Sequence, residues 1–131
     1  MSDDLEAKAI AAQRHAYAPY SKFHVGAAIR MSGQTFTGAN VENASYGLAI
    51  CAERSAIFAA VNAGATVLEA VAVVSDSSPP ASPCGACRQV LAEFAGDPDA
   101  LIVTSFNQRG ERKSWTLSQL LPDGFSGKQL P

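Results

Sequence analysis

Cys51-Ala52-Glu53-Arg54 and Pro83-Cys84-Gly85-Ala86-Cys87-Arg88 hold every cysteine of the chain, and each stretch opens a run of helical character. The first leads into Ala56, Ile57, Phe58, Ala59, Ala60 and Val61, apolar nearly all round, before Gly64 supplies a C-terminal cap. The second places Cys84, Cys87, Leu91 and Phe94 on one helical stripe closed by Gly96, with Pro83 in the first turn. These patterns predict a buried central helix over 51–63 and a second helix carrying two thiols on one face. All three thiols then sit at helix N-termini, where unsatisfied N–H groups favour negative charge.

The residue types suit a metal. Thiolates are good ligands for a borderline-soft cation, and a catalytic zinc site keeps three protein ligands and leaves a corner for water. Cys51, Cys84 and Cys87 fill three corners, and Glu53 is placed to move a proton from that water to a leaving group. Plainer readings are that the cysteines are buried apolar residues, or that Cys84 and Cys87 form a redox pair. Neither accounts for a third cysteine beside Glu53, and a structural zinc site asks for a fourth Cys or His. His15 and His24 are the only histidines; both read as structural or surface groups, with His24 a weak fourth-ligand candidate. Three thiolates around a dication leave an excess of about one negative charge, which opposes ionisation of a bound water. Arg54 is the preferred group to offset it, against the alternative of a surface helix arginine, and Arg88 has a lesser claim.

Length and composition set the frame. A chain of 131 residues, 47% hydrophobic, fits one domain over 1–131 with a substantial core. A net charge of -2 and a pI near 5.6 leave no electrostatic track for nucleic acid or an anionic membrane. No apolar run approaches a membrane span, and Met1-Ser2-Asp3-Asp4 does not read as a signal peptide. An odd number of cysteines without a secretory signal points to a reducing, cytoplasmic compartment.

Elsewhere, Asp3 and Glu6 form a capping-box pattern, and Leu5, Ala9, Ala12 and Ala16 recur at helical spacing until Pro19 ends it. Phe23–Arg30 and Gln34–Asn40 flank Met31-Ser32-Gly33 and predict a hairpin. In Asn40-Val41-Glu42-Asn43, at its end, the asparagines are turn formers or binding groups. Val71–Ser75, Leu101–Phe106 and Lys113–Leu117 read as strands, with a turn-rich loop over 76–82 and a short helix over 117–121. Only six residues separate the last two strands, 107–112, too few for a parallel crossover, so those two pair antiparallel.

Asn40-Val41-Glu42-Asn43-Ala44-Ser45-Tyr46-Gly47, Cys51-Ala52-Glu53-Arg54 and Ser82-Pro83-Cys84-Gly85-Ala86-Cys87-Arg88-Gln89-Val90-Leu91 resemble the small cytidine deaminases of pyrimidine salvage that hold zinc with three cysteines. The likeness runs from Tyr17 to Phe125. It implies an α/β/α fold around a mixed five-stranded sheet and a homotetramer acting on cytidine and deoxycytidine. Zinc-activated water would attack C4 of cytosine, with Glu53 as proton shuttle, releasing ammonia. By the same likeness Asn40 and Glu42 hold ribose hydroxyls, Phe23 stacks beside the base, and Arg54 bonds ligand sulfur. The backbone at Ala52 and Ser82 reads the pyrimidine edge, and Tyr46 and Phe125 serve neighbouring subunits. Without the resemblance, Phe23 and Phe125 read as core aromatics. Glu42 suits a sugar hydroxyl and repels phosphate, which favours a nucleoside over a polymer. Blasticidin-type antibiotic deamination and a non-catalytic zinc-stabilised subunit are the alternatives; the retained Asn40-to-Asn43 segment speaks against the first and Glu53 against the second.

Overall fold

A computed structural model describes residues 2–131, with side chains from Asp4 onward, so the capping pattern read from Asp3 lies outside the described residues. Helix α1 (Ser2–Gln13) precedes a hairpin of β1 (Val25–Met31) and β2 (Gln34–Ala39). Then follow α2 (Ala52–Asn62), β3 (Leu68–Ser75), α3 (Gly85–Phe94), β4 (Ile102–Phe106), β5 (Arg112–Thr116) and α4 (Leu117–Leu120). Met31 belongs to β1, so the turn is Ser32-Gly33 alone, with φ of 49° and 76°. Two left-handed residues match the right-handed twist of the flanking strands.

The five strands form one mixed sheet in the order β2-β1-β3-β4-β5. β1 is antiparallel to both β2 and β3, β3 and β4 are parallel, and β4 and β5 are antiparallel as the short link required. The parallel pair needs a crossover, which α3 supplies. Alternation along the strands divides the interior in two. Ala27, Ile29, Met31, Val71, Val73 and Val103 meet α2, Leu91 of α3, and Leu117 and Leu120 of α4. Ala28, Ala72, Val74 and Phe106 meet Leu5 and Ala9 of α1 on the opposite face. The layers are therefore α/β/α.

Two glycines set how close the layers lie. A Cβ on Gly26 would fall 2.1 Å from the Ala9 carbonyl oxygen, and one on Gly38 2.5 Å from the Ala56 nitrogen. Gly38 thus seats α2 directly on β2 and fixes the height of its N-terminus.

Several sequence expectations shift. Phe23 and His24 precede β1, and β3 starts three residues before Val71. Cys51 and Cys84 are the caps of α2 and α3 with extended backbones, so Cys84 lies outside the helical stripe and Pro83 before the first turn. α2 is not buried all round: Phe58 and Val61 are exposed on the side away from the sheet. Gly64, at φ 91°, ends α2 in the left-handed region as expected, whereas α3 ends on an extended Ala95 and Gly96 plays no such part.

Candidate metal centre and substrate cavity

Both thiol-bearing helices start with a cysteine in place of the usual Ser, Asp or Asn cap. The Cys84 sulfur accepts the Cys87 N–H at 3.5 Å, which turns Cys87 back toward Cys84. Cys51 arrives from the other helix, its sulfur 3.8 Å from that of Cys84. The three Sγ atoms lie within 4.8 Å of one another. A tetrahedral zinc with Zn–S of about 2.3 Å spaces its thiolates about 3.8 Å apart, so the donor set fits that ion in type, number and separation. His24 is elsewhere: its backbone N–H and Nδ1 both meet Asp76 Oδ2, at 2.9 and 3.2 Å, which removes it as a fourth ligand.

The electrostatics of the cluster point the same way. The neighbouring Cys87 thiol, and Arg54 Nη2 donating to the Cys51 sulfur at 3.4 Å, draw the Cys51 thiol down to about 5. Cys87, beside Cys51 and desolvated, is pushed well above the usual thiol range. One thiolate at Cys51 therefore suppresses the next, and only a cation among them lets all three ionise. Arg54, bonded to Cys51, is held firmly cationic. Its Nε is buried without a partner.

Glu53, the second residue of α2, is 5% exposed. Burial pushes its carboxyl up to about 7, with the Cys51 thiolate adding to the rise and Arg54 opposing it. A carboxyl in that range can accept and return a proton near neutral pH.

Cys51, Glu53, Arg54 and Cys84 open onto a cavity of about 450 Å³ that is also lined by Phe23, Asn40, Glu42, Tyr46, Ala52 and Ser82. Glu42 is oriented by the 20–21 backbone: its Oε1 accepts from Tyr20 N at 3.0 Å and Ser21 N at 3.2 Å, and Oε2 accepts from the Ser21 hydroxyl. These bonds, led by the Ser21 hydroxyl, hold its carboxyl below the usual carboxylate range. Asn40 spans the approach to β1, accepting from Val25 N at 2.9 Å and donating to Phe23 O at 2.8 Å. Phe23 is thus fixed at the cavity wall, half-exposed, and is no core aromatic.

A family model of the cytidine and deoxycytidylate deaminase zinc-binding region matches residues 2–104. The chain belongs to this deaminase family. It is 48% identical to a cytidine deaminase of Halalkalibacterium halodurans, over 94% of this chain and 92% of that one. A cytidine deaminase of Sporosarcina psychrophila is 44% identical over 98% and 93%. The crystal structure of cytidine deaminase from Burkholderia pseudomallei matches with a TM-score of 0.89 at 48% identity, covering 95% of this chain and 99% of that one. The deaminase metal is zinc, in keeping with the three-thiol cluster.

One residue of the deaminase pattern does not gather with the others, and another only reaches their edge. Phe125 lies in a separate cleft beside α3 and α4, its carbonyl bonded to Gln89 Nε2 at 2.9 Å. Tyr46, 82% exposed, stands at the rim of its own chain's cavity. Arg88, given the lesser claim to the thiolates beside Arg54, donates from Nε to Pro83 O at 2.7 Å, from Nη1 to Leu120 O at 2.8 Å and from Nη2 to Ser82 Oγ at 2.8 Å, and it reaches no sulfur. Ile50 and Val73, cavity-lining apolar residues, carried no chemical signature in the sequence.

Proposed function

We infer that this protein hydrolytically deaminates cytidine and 2'-deoxycytidine, giving uridine or 2'-deoxyuridine and ammonia. The observation that carries this is the cluster of Cys51, Cys84 and Cys87, with Cys51, Cys84 and buried Glu53 opening onto one cavity of nucleoside size. We assign the three cysteines as the metal ligands. Bound zinc supplies Lewis-acid activation of water. Glu53 moves protons, first to N3 of the pyrimidine and then to the departing amine at C4. Each turnover consumes one water and releases one ammonia, so no redox partner is involved.

The substrate roles follow from placement. Phe23 stacks beside the base, and the backbone at Ala52 and Ser82 reads the pyrimidine edge. Glu42 keeps one acceptor direction for a ribose hydroxyl after its bonds to Tyr20 and Ser21, and Asn40 has a second amide hydrogen and lone pair to spare. A pocket that bonds sugar hydroxyls loses affinity for free cytosine, because its polar groups are then left unpaired. Arg54 offsets the excess charge of three thiolates.

The domain spans 1–131 and works as a homotetramer, in which Phe125 and Tyr46 reach neighbouring sites. What supports self-association is the exposed apolar surface at Tyr46, Leu48, Phe58, Val61 and Phe125. Among the described residues no helix is long and apolar enough to cross a membrane. A cytoplasmic setting keeps all three thiols available as ligands.

The test is conversion of cytidine to uridine by metal-analysed protein, beside Glu53→Gln and with blasticidin S as competing substrate. Turnover that falls about 10²- to 10⁴-fold in the variant, with zinc retained, is expected. Turnover of the antibiotic alone would replace the substrate assignment, and equal turnover by the variant would remove Glu53 from the mechanism.

A further inference from the structure

Arg88 carries a charge that meets no carboxylate among the described residues, and its bonds go to three neutral oxygens. Those oxygens belong to two segments far apart in sequence. Ser82 Oγ and Pro83 O lie in the loop just before Cys84, and Leu120 O closes the last turn of α4. The loop over 76–83 has no strand or helix of its own. Its start is tied to the β4–β5 hairpin, where Asn107 Nδ2 donates to Ser77 O at 3.0 Å and the Ser78 hydroxyl to Glu111 Oε1 at 2.6 Å. Its end is tied by Arg88. Pro83 has no N–H to bond, so its carbonyl and the Ser82 hydroxyl are what the loop offers there.

We propose that Arg88 is a positioning residue of the deamination site: its guanidinium locks the Ser82-Pro83 segment against α4 and thereby fixes both the Cys84 ligand and the Ser82 backbone that faces the pyrimidine. The part concerning Ser82 rests on the functional reading above. The physical requirement is a rigid, planar fork. Three acceptors in different directions are spanned by a guanidinium, whereas an ammonium at the end of a lysine is a single point that can satisfy one or two of them. Displacing a reading group by about 1 Å costs on the order of 10²-fold in rate, and outer partners of a metal ligand contribute about 10- to 100-fold to metal affinity or activity.

Arg88→Gln and Arg88→Lys are compared with wild type for zinc release to a chromogenic chelator, for KM and kcat on cytidine, and for melting temperature. The expected result is zinc release faster by about 10- to 100-fold in Arg88→Gln. With zinc in excess, KM rises more than kcat falls, and Arg88→Lys recovers only part of either loss. A lower melting temperature with wild-type zinc release and wild-type KM, measured well below that melting temperature, overturns the proposal and leaves Arg88 a stability residue. Should Arg88→Gln fail to fold, Ser82→Ala removes one acceptor alone and is expected to shift both readouts in the same direction by a smaller factor; unchanged values there overturn it equally. If wild-type protein leaves cytidine untouched, the functional reading falls, while the zinc-release comparison still decides whether Arg88 holds the Cys84 loop.

Discussion

The starts of α2 and α3 are built alike and do different work. Each is capped by a cysteine in extended conformation, Cys51 and Cys84, and each has an arginine within four residues. In α2 the third helical residue is Arg54, and it reaches sulfur. In α3 the third helical residue is Cys87, the third thiol of the cluster, and the arginine comes one residue later. One residue turns a side chain by about 100° around a helix of 3.6 residues per turn. Arg88 is thereby carried off the metal face and onto the loop and α4. The lesson is that the same cap–arginine pairing sends the guanidinium to sulfur in one helix and to loop and α4 oxygens in the other, and a single step of helical phase separates them.

Removing a cap thiol breaks the likeness altogether. Cys51→Ala and Cys84→Ala are each expected to lose zinc on dialysis and all measurable turnover, read by metal content per chain. Retention of one zinc per chain in either variant would separate that cysteine from the ligand set.

Arg54→Gln sharpens the contrast with Arg88. It keeps the loop over 76–83 in place and removes the cation beside Cys51, so kcat is expected to fall about 10- to 100-fold with little change in KM. An effect confined to KM would contradict a charge-tuning role for Arg54.

The seat of α2 can be tested apart from its chemistry. Gly38→Ala places a methyl group against the backbone of Ala52 and Ala56, with no flexible side chain to yield, and is expected to destabilise the fold by about 1–3 kcal/mol as overpacking does. Gly127→Ala, where nothing lies within 4 Å, is the control that leaves the melting temperature unchanged.

The smallest effect concerns the far end of the α3 loop. Ser78 and Asn107 hold the Glu111 carboxyl below its usual range, with Arg109 adding to the effect. A carboxyl lowered on folding contributes stability above its unfolded value, and that contribution is lost as the pH falls through the folded one. Wild type should therefore lose stability on acidification below about pH 4.3 more steeply than Glu111→Gln, whose acid limb is flatter. Parallel limbs in chemical denaturation would show that the hairpin anchor does not depend on charge.

Much of this arrangement was legible in the residues. The first hairpin and the antiparallel last pair were legible, because a glycine-bearing turn and a short link are local constraints with few alternatives, although the turn proved to be Ser32-Gly33 without Met31 and the sheet order came only from the packed structure. The thiols and Glu53 were legible because a metal site admits few residue types. Asn40 and Arg88 were harder. An amide or guanidinium bonds whatever oxygen lies near, so its type does not name its partner, and Arg88 finds Leu120 at a separation of 32 residues.

The sequence by itself pointed to the three thiols, to Glu53 beside one of them, to the two helix starts that carry them and to the family they resemble. Only the tertiary structure decided which face of each helix start meets the metal, that His24 turns to Asp76, that Phe125 stands apart from the cavity, and that Arg88 serves the loop. The physical reason is that residue chemistry is a local property, whereas a partner is chosen by distance, and distance across a sheet is set only when the layers pack.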